Sequence, residues 1–148
     1  MPSTMLMSPP STIQILNRLL VLHERSLPMY LSYAPPYELA RYDKAKVVLD
    51  QIVADQRRTI DRLGTLVIES GGTADYGEFP MSFTSLHDLS LPYLLKLLIE
   101  RQQKFVVACE RLADQLNMAP FAQAAAREAV GEATGHLENL QELQASLT

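Results

Sequence analysis

Between Ser11 and Ala34 the residues Ile13, Leu16, Leu20, His23, Leu27, Tyr30 and Ala34 recur at alternating steps of three and four. That step is the period of one face of an α-helix lying against neighbours. Three more segments share the habit. One runs from Glu38 or Asp43 to Ser70, with Val48, Leu49, Ile52, Val53, Ile60, Leu63, Leu66 and Val67 on its inner face. A third runs from Ser90 to about Asn117, and a fourth starts at Pro120 and carries Ala122, Ala126, Ala129, Ala133, His136, Leu140, Leu143 and Leu147. The punctuation agrees. Ser11 and Gln14 have the spacing of a capping box, Gly71-Gly72 is a stop, and Pro92 and Pro120 fit first turns. Pro28 is expected to kink the first helix by removing one ladder hydrogen bond, and Ala34-Pro35-Pro36 ends it.

Connection lengths then select a topology. The first and second predicted helices, and the third and fourth, are joined by short links, so each pair is expected to fold as an antiparallel hairpin. The link from Gly71 to about Leu89 is far longer. Helices of this length make a bundle roughly 40 Å tall, and about 12 extended residues span that height. The link is long enough, and its Tyr76, Phe79, Met81 and Phe83 offer aromatic and apolar anchors on the bundle side. The expected fold is therefore all-α: one domain over residues 1–148, a four-helix bundle of two hairpins joined by a crossover. An up-down bundle with a loose loop is the alternative. With 47% apolar and 20% charged residues in 148, the chain has enough apolar surface for such a core.

Polar residues interrupt the core seams at one level. His23 and His136 lie on otherwise apolar faces, and Asp55 and Gln102 fall at comparable depth on the other two helices. Such groups are hydrogen-bonded, paired or metal-bound when buried. Glu132 and His136 are four residues apart and share a helical face. With His23 and Asp55 they would supply two nitrogens and two carboxylates, a donor set suited to zinc. A hydrogen-bonded network with a buried water uses the same residues without a metal. Cys109, the single cysteine, sits beside Phe105 and Leu112 and is expected to be buried and inert. His87 reads as an exposed residue near a helix start, and Asp61 and Arg62 as a solvated face.

Composition excludes several classes. A net charge of −4 without a Lys/Arg-rich run gives no footprint for nucleic acid. The apolar run Leu89–Ile99 is broken by Ser90, Pro92 and Lys96 and is too short for a membrane span. The start MPSTMLMSPP has no secretory pattern, and one cysteine suits a reducing compartment, so a cytoplasmic location is expected.

In helix count, crossover placement and the ending Leu63-Gly64-Thr65-Leu66-Val67-Ile68-Glu69-Ser70-Gly71-Gly72, the chain resembles the ferritin-like superfamily, which includes bacterioferritins and rubrerythrins. The resemblance implies a di-iron site with one carboxylate on each of two helices and Glu-x-x-His on the other two. The chain departs from it. Asp55-Gln56-Arg57-Arg58 ends in arginine, which cannot ligate, and Ala133-Thr134-Gly135-His136 lacks the glutamate. The third helix offers Arg101 and Gln102 beside Glu100; on the first, Glu24 is a possible ligand but His23 holds the seam. The expectation is a non-enzymatic bundle without a standard di-iron centre or other cofactor, serving as an interaction or scaffold protein. The alternative is a remodelled zinc or iron site on His23, Asp55, Glu132 and His136, with Glu24 as a further candidate, for storage or redox work. The third helix is apolar around much of its circumference, from Tyr93 to Ile99 and again at Phe105, Val106 and Val107. Another chain or the crossover is expected to cover it, a homodimer through that helix being the simplest closed solution, with Met5-Leu6-Met7 either adding to the surface or tucking back on its own bundle.

Overall fold

The computed structural model describes residues 11–147, so the Met5-Leu6-Met7 segment lies outside the described residues. Its helices are α1 (Thr12–Glu24), α2 (Leu27–Tyr33), α3 (Tyr37–Ala40), α4 (Asp43–Glu69), α5 (Leu91–Asp114) and α6 (Pro120–Ser146), with a 3-10 turn at Met81–Ser85. No strand occurs among the described residues, and none of their helices is long and apolar enough to cross a membrane.

α1 starts on its capping box. The Gln14 N–H donates to Ser11 Oγ (3.1 Å) and the Ser11 N–H to Gln14 Oε1 (2.8 Å). The expected kink at Pro28 is instead a break. α1 stops at Glu24, Ser26 caps a new helix by accepting the Met29 N–H at 3.3 Å, and Pro28 falls in the first turn of α2. Proline there removes no ladder bond, because first-turn N–H groups have no helical partner. Starting a second helix therefore costs less than kinking the first. The two candidate starts of the next helix also separate: Glu38 belongs to the short α3, and α4 begins at Asp43.

Side-chain pairs fix the helix directions. Gln102 Nε2 donates to the Ala133 carbonyl (3.1 Å) and Gln123 Nε2 to the Ala113 carbonyl (3.0 Å), so α5 and α6 run antiparallel. Arg62 pairs with Glu128 and Asp55 with His136, which sets α4 antiparallel to α6. Ser26 bonds to Gln56, and Gly72 lies against Ile13, so the chain from α1 into α2 runs opposite to α4. It follows that α4 and α5 run parallel, and the segment joining them must travel back along the molecule.

It does so along α1. Asn17 Nδ2 donates to the Thr73 carbonyl (3.0 Å), and its Oδ1 accepts the Asp75 N–H (2.8 Å). Farther along, Arg25 Nε donates to the Tyr76 and Gly77 carbonyls (2.8 and 3.1 Å). The Tyr30 ring then meets Phe79 and Phe83 at 5.3 and 5.4 Å. Gly77 holds φ +62° with its Cα facing Val21, where a Cβ would come within 2.8 Å of a methyl group. Of the four expected anchors, Phe83 is buried and Phe79 half-buried; Met81 (83% exposed) and Tyr76 (47%) stay outside.

The core is built from Leu16, Leu19 and Leu20 of α1, Ile52 and Leu63 of α4, and Leu94, Leu95 and Leu98 of α5, closed by the alanines of α6. Most of the broad apolar surface of α5 is used inside the chain, because α5 touches α1, α2, α3 and α6. Tyr93 and Val107 remain exposed.

Candidate metal centre

The buried polar level consists of His23 on α1, Gln56 and Thr59 on α4, Gln102 on α5 and His136 on α6. Asp55 stands one residue from the core position that Gln56 fills, with its side chain 27% exposed. Each partner follows from local geometry. His23 Nδ1 lies 2.8 Å from the Leu19 carbonyl one turn back, which makes it the protonated nitrogen, and the ring meets Phe105 edge-on at 4.8 Å. Ser26 Oγ donates to Gln56 Oε1 (2.8 Å), tying the α2 cap to α4. Gln102 is satisfied by the Ala133 carbonyl.

Three side chains are not so settled. Asp55, Glu132 and His136 each offer a donor atom, and these atoms all lie within 4.8 Å of one another. Glu132 and His136 meet across one turn of α6, and the antiparallel packing of α4 brings Asp55 to them. His136, 7% exposed, has its Nε2 2.9 Å from Asp55 Oδ2. Nε2 lacks a partner of strict hydrogen-bond geometry, although the Asp55 carboxylate beside it still acts on the imidazole as an acceptor; the buried Glu132 Oε2 and Gln56 Nε2 have no partner either. The other Asp55 oxygen contacts the Arg58 guanidinium three residues on. A cavity of about 10 Å³ lies between His23, Asp55, Gln56, Thr59, Glu132 and His136, walled by Phe105, Ala129 and Ala133. That is the size of a single water or ion.

The field matches a cation site. Burial raises the Glu132 carboxyl above its ordinary range, and the Asp55 and Glu128 charges add to this while Arg58 and Arg62 oppose it. Burial lowers the His136 imidazole despite Asp55, with Arg58 acting in the same direction as burial. The neutral imidazole is the form that ligates a metal. His23 is lowered to about 4 by burial, against its hydrogen bond to Leu19.

Of the four residues singled out in the sequence, three converge. His23 lines the same cavity but stands outside the donor triangle, and Glu24, half-buried at the end of α1, does not join it. A dinuclear centre of the ferritin type does not fit: Arg58 occupies Asp55, Ala133 has no donor atom, and Gln102 is spent on a backbone carbonyl. A single ion does fit. Around zinc, with bonds of about 2.0–2.2 Å, tetrahedral donors sit roughly 3.4 Å apart, so the two half-exposed carboxylates need only turn inward. Sequence reasoning read Gln56 and Thr59 with Asp55 as polar breaks in one helical face and Arg58 only as a residue that cannot ligate; the spacing Asp55-x-x-Arg58 was the available signal for its ion pair. His87 is exposed and Cys109 fully buried, its thiol pushed up to about 12 by desolvation. No family model matches the chain, and neither a curated protein nor a solved structure is found similar to it.

Proposed function

We propose that the protein binds one divalent first-row transition-metal ion through Asp55, Glu132 and His136, in the middle of a four-helix bundle of ferritin-like topology. The topology is supported by the antiparallel order of α1, α4, α6 and α5 and by the segment that climbs α1 between two parallel helices. The ligand set is supported by one observation above all. Two buried donor atoms, Glu132 Oε2 and His136 Nε2, face one small cavity without partners of strict hydrogen-bond geometry. An unpartnered buried group costs about 1–3 kcal/mol, so both atoms call for an occupant of that cavity, and the convergence of two carboxylates and an imidazole within 4.8 Å favours a cation over a water. Two carboxylates and one imidazole suit zinc, iron(II) or manganese(II), and three protein donors leave a further position for an outside ligand.

A bundle acting purely as an interaction scaffold is the second reading. It is favoured by Gln102 and His23, whose polar atoms are engaged by the backbone of their surroundings. Elemental analysis of tag-free protein purified without chelator separates the two, followed by melting with and without added zinc. The expected result is about one equivalent of metal per chain. Saturation at a hundred times Kd should stabilise by about 2.7 kcal/mol, or roughly 5–10 °C in a chain of this size. His136→Ala should abolish both effects. Less than about a tenth of an equivalent, with no response to zinc, would leave the scaffold.

A further inference from the structure

Arg58 stands where an incoming cation must go. Its guanidinium holds one oxygen of Asp55 while His136 Nε2 lies 2.9 Å from the other, so the carboxylate is shared between an internal cation and the ligand imidazole. Among the described residues Asp55 is the only ion-pair partner of Arg58, and the arginine side chain is 69% exposed. Such a pair is held weakly, screened by water and free to open. Asp61, exposed and three residues farther along α4, forms no ion pair among the described residues and offers the departing guanidinium a second carboxylate on the same face. The neighbouring arginine is arranged differently: Arg62 is paired with Glu128 on α6, which holds that carboxylate away from the donor triangle.

Resting on the metal-binding reading above, we infer that Arg58 is a built-in competitor for the metal, a displaceable side-chain cation that makes the site exchangeable. With the ion absent, the guanidinium neutralises part of the charge of Asp55 and Glu132. With the ion bound, it moves out toward solvent, because two cations cannot share one carboxylate without repulsion. The ion's departure is assisted by the return of Arg58 to Asp55, so the metal is released to an acceptor more readily than from a closed structural site. The chemistry is ligand exchange at constant oxidation state: a metal–oxygen bond to Asp55 breaks as the guanidinium hydrogen bond re-forms.

The test uses zinc(II) alone on the full chain, with affinity from competition against a chelating dye and release rate from trapping by excess chelator. Arg58→Gln should tighten binding about tenfold or more and slow release by a similar factor. Arg57→Gln is the charge-matched control on the exposed side of α4 and should change either quantity by less than about twofold; far-ultraviolet circular dichroism checks that each variant folds. Equal effects from the two variants, with wild type binding one zinc, would overturn the role of Arg58 while the site stands. No zinc in any of the three proteins would overturn the site and the competitor together. Binding by Arg58→Gln alone would support the competitor and show that wild type excludes the ion.

Discussion

Replacing His23 by leucine should remove one loss of stability that acid imposes on this fold. The imidazole sits 2% exposed between the α1 backbone and the edge of Phe105, and burial depresses it from 6.5 to about 4. A depressed folded pKa means that the unfolded chain takes the proton first. The stability His23 contributes is therefore complete above about pH 6.5 and drains away as the pH falls toward the folded value near 4. Moving a pKa from 6.5 to about 4 is worth about 3 kcal/mol at about 1.4 kcal/mol per pH unit. Leucine removes the titration and leaves no orphan, since the ring N–H is a second donor to a Leu19 carbonyl that already lies within the helix. Near neutral pH the variant should match wild type within about 1 kcal/mol. At about pH 4.5 it should be more stable than wild type by about 2–3 kcal/mol. The neighbouring titrations pull both ways. His136, also lowered, loses stability on acidification as His23 does, whereas Glu132, raised by burial, gains it as its carboxylate protonates. Both remain in the variant, so the difference between the two proteins isolates His23. Urea unfolding of each across this pH range measures it. Two parallel pH profiles would refute the linkage, because they would mean that the buried ring takes its proton without cost.

Gly131 and Gly135 lie inside α6 with nothing within 4 Å of where a Cβ would stand. Gly131→Ala and Gly135→Ala should each stabilise by roughly 0.5–1 kcal/mol in thermal melts, whereas Gly77→Ala, at φ +62° and against Val21, should lower the melting temperature. Cys109 is fully buried with its thiol pushed up to about 12. Its labelling by a thiol reagent near pH 8 should be negligible in the native protein and should rise along the urea unfolding curve; fast labelling of the folded chain would contradict the burial.

What could be read from the residues and what could not divide along one physical line. Features set within a single helix were legible. Ser11 and Gln14 cap α1, the Gly71 that ends α4 takes φ +87°, and Glu132 and His136 meet because a four-residue step returns to the same face. That the long link would lie against the helices was legible in part: Asn17 of α1 and Arg25 at its C-cap hold the link's backbone, but of its four apolar anchors only Phe83 is buried. Pro28 misled because a proline in mid-pattern is compatible with a kink or with a new start, and Ser26, two residues earlier, decides for the start. Features set between helices were not legible, because each residue turns a side chain by about 100° around its axis. Asp55 and Gln56 are adjacent, yet that turn puts Gln56 in the core, bonded to Ser26, and Asp55 at the rim, where it meets both His136 and Arg58. The same rotation on α1 sends the His23 N–H back to its own helix and leaves the histidine outside the donor triangle. A site assembled from α4 and α6 is thus fixed by how those two helices are rotated against each other. The alanines at 129 and 133 permit that close approach, and both line the cavity where the three donors converge.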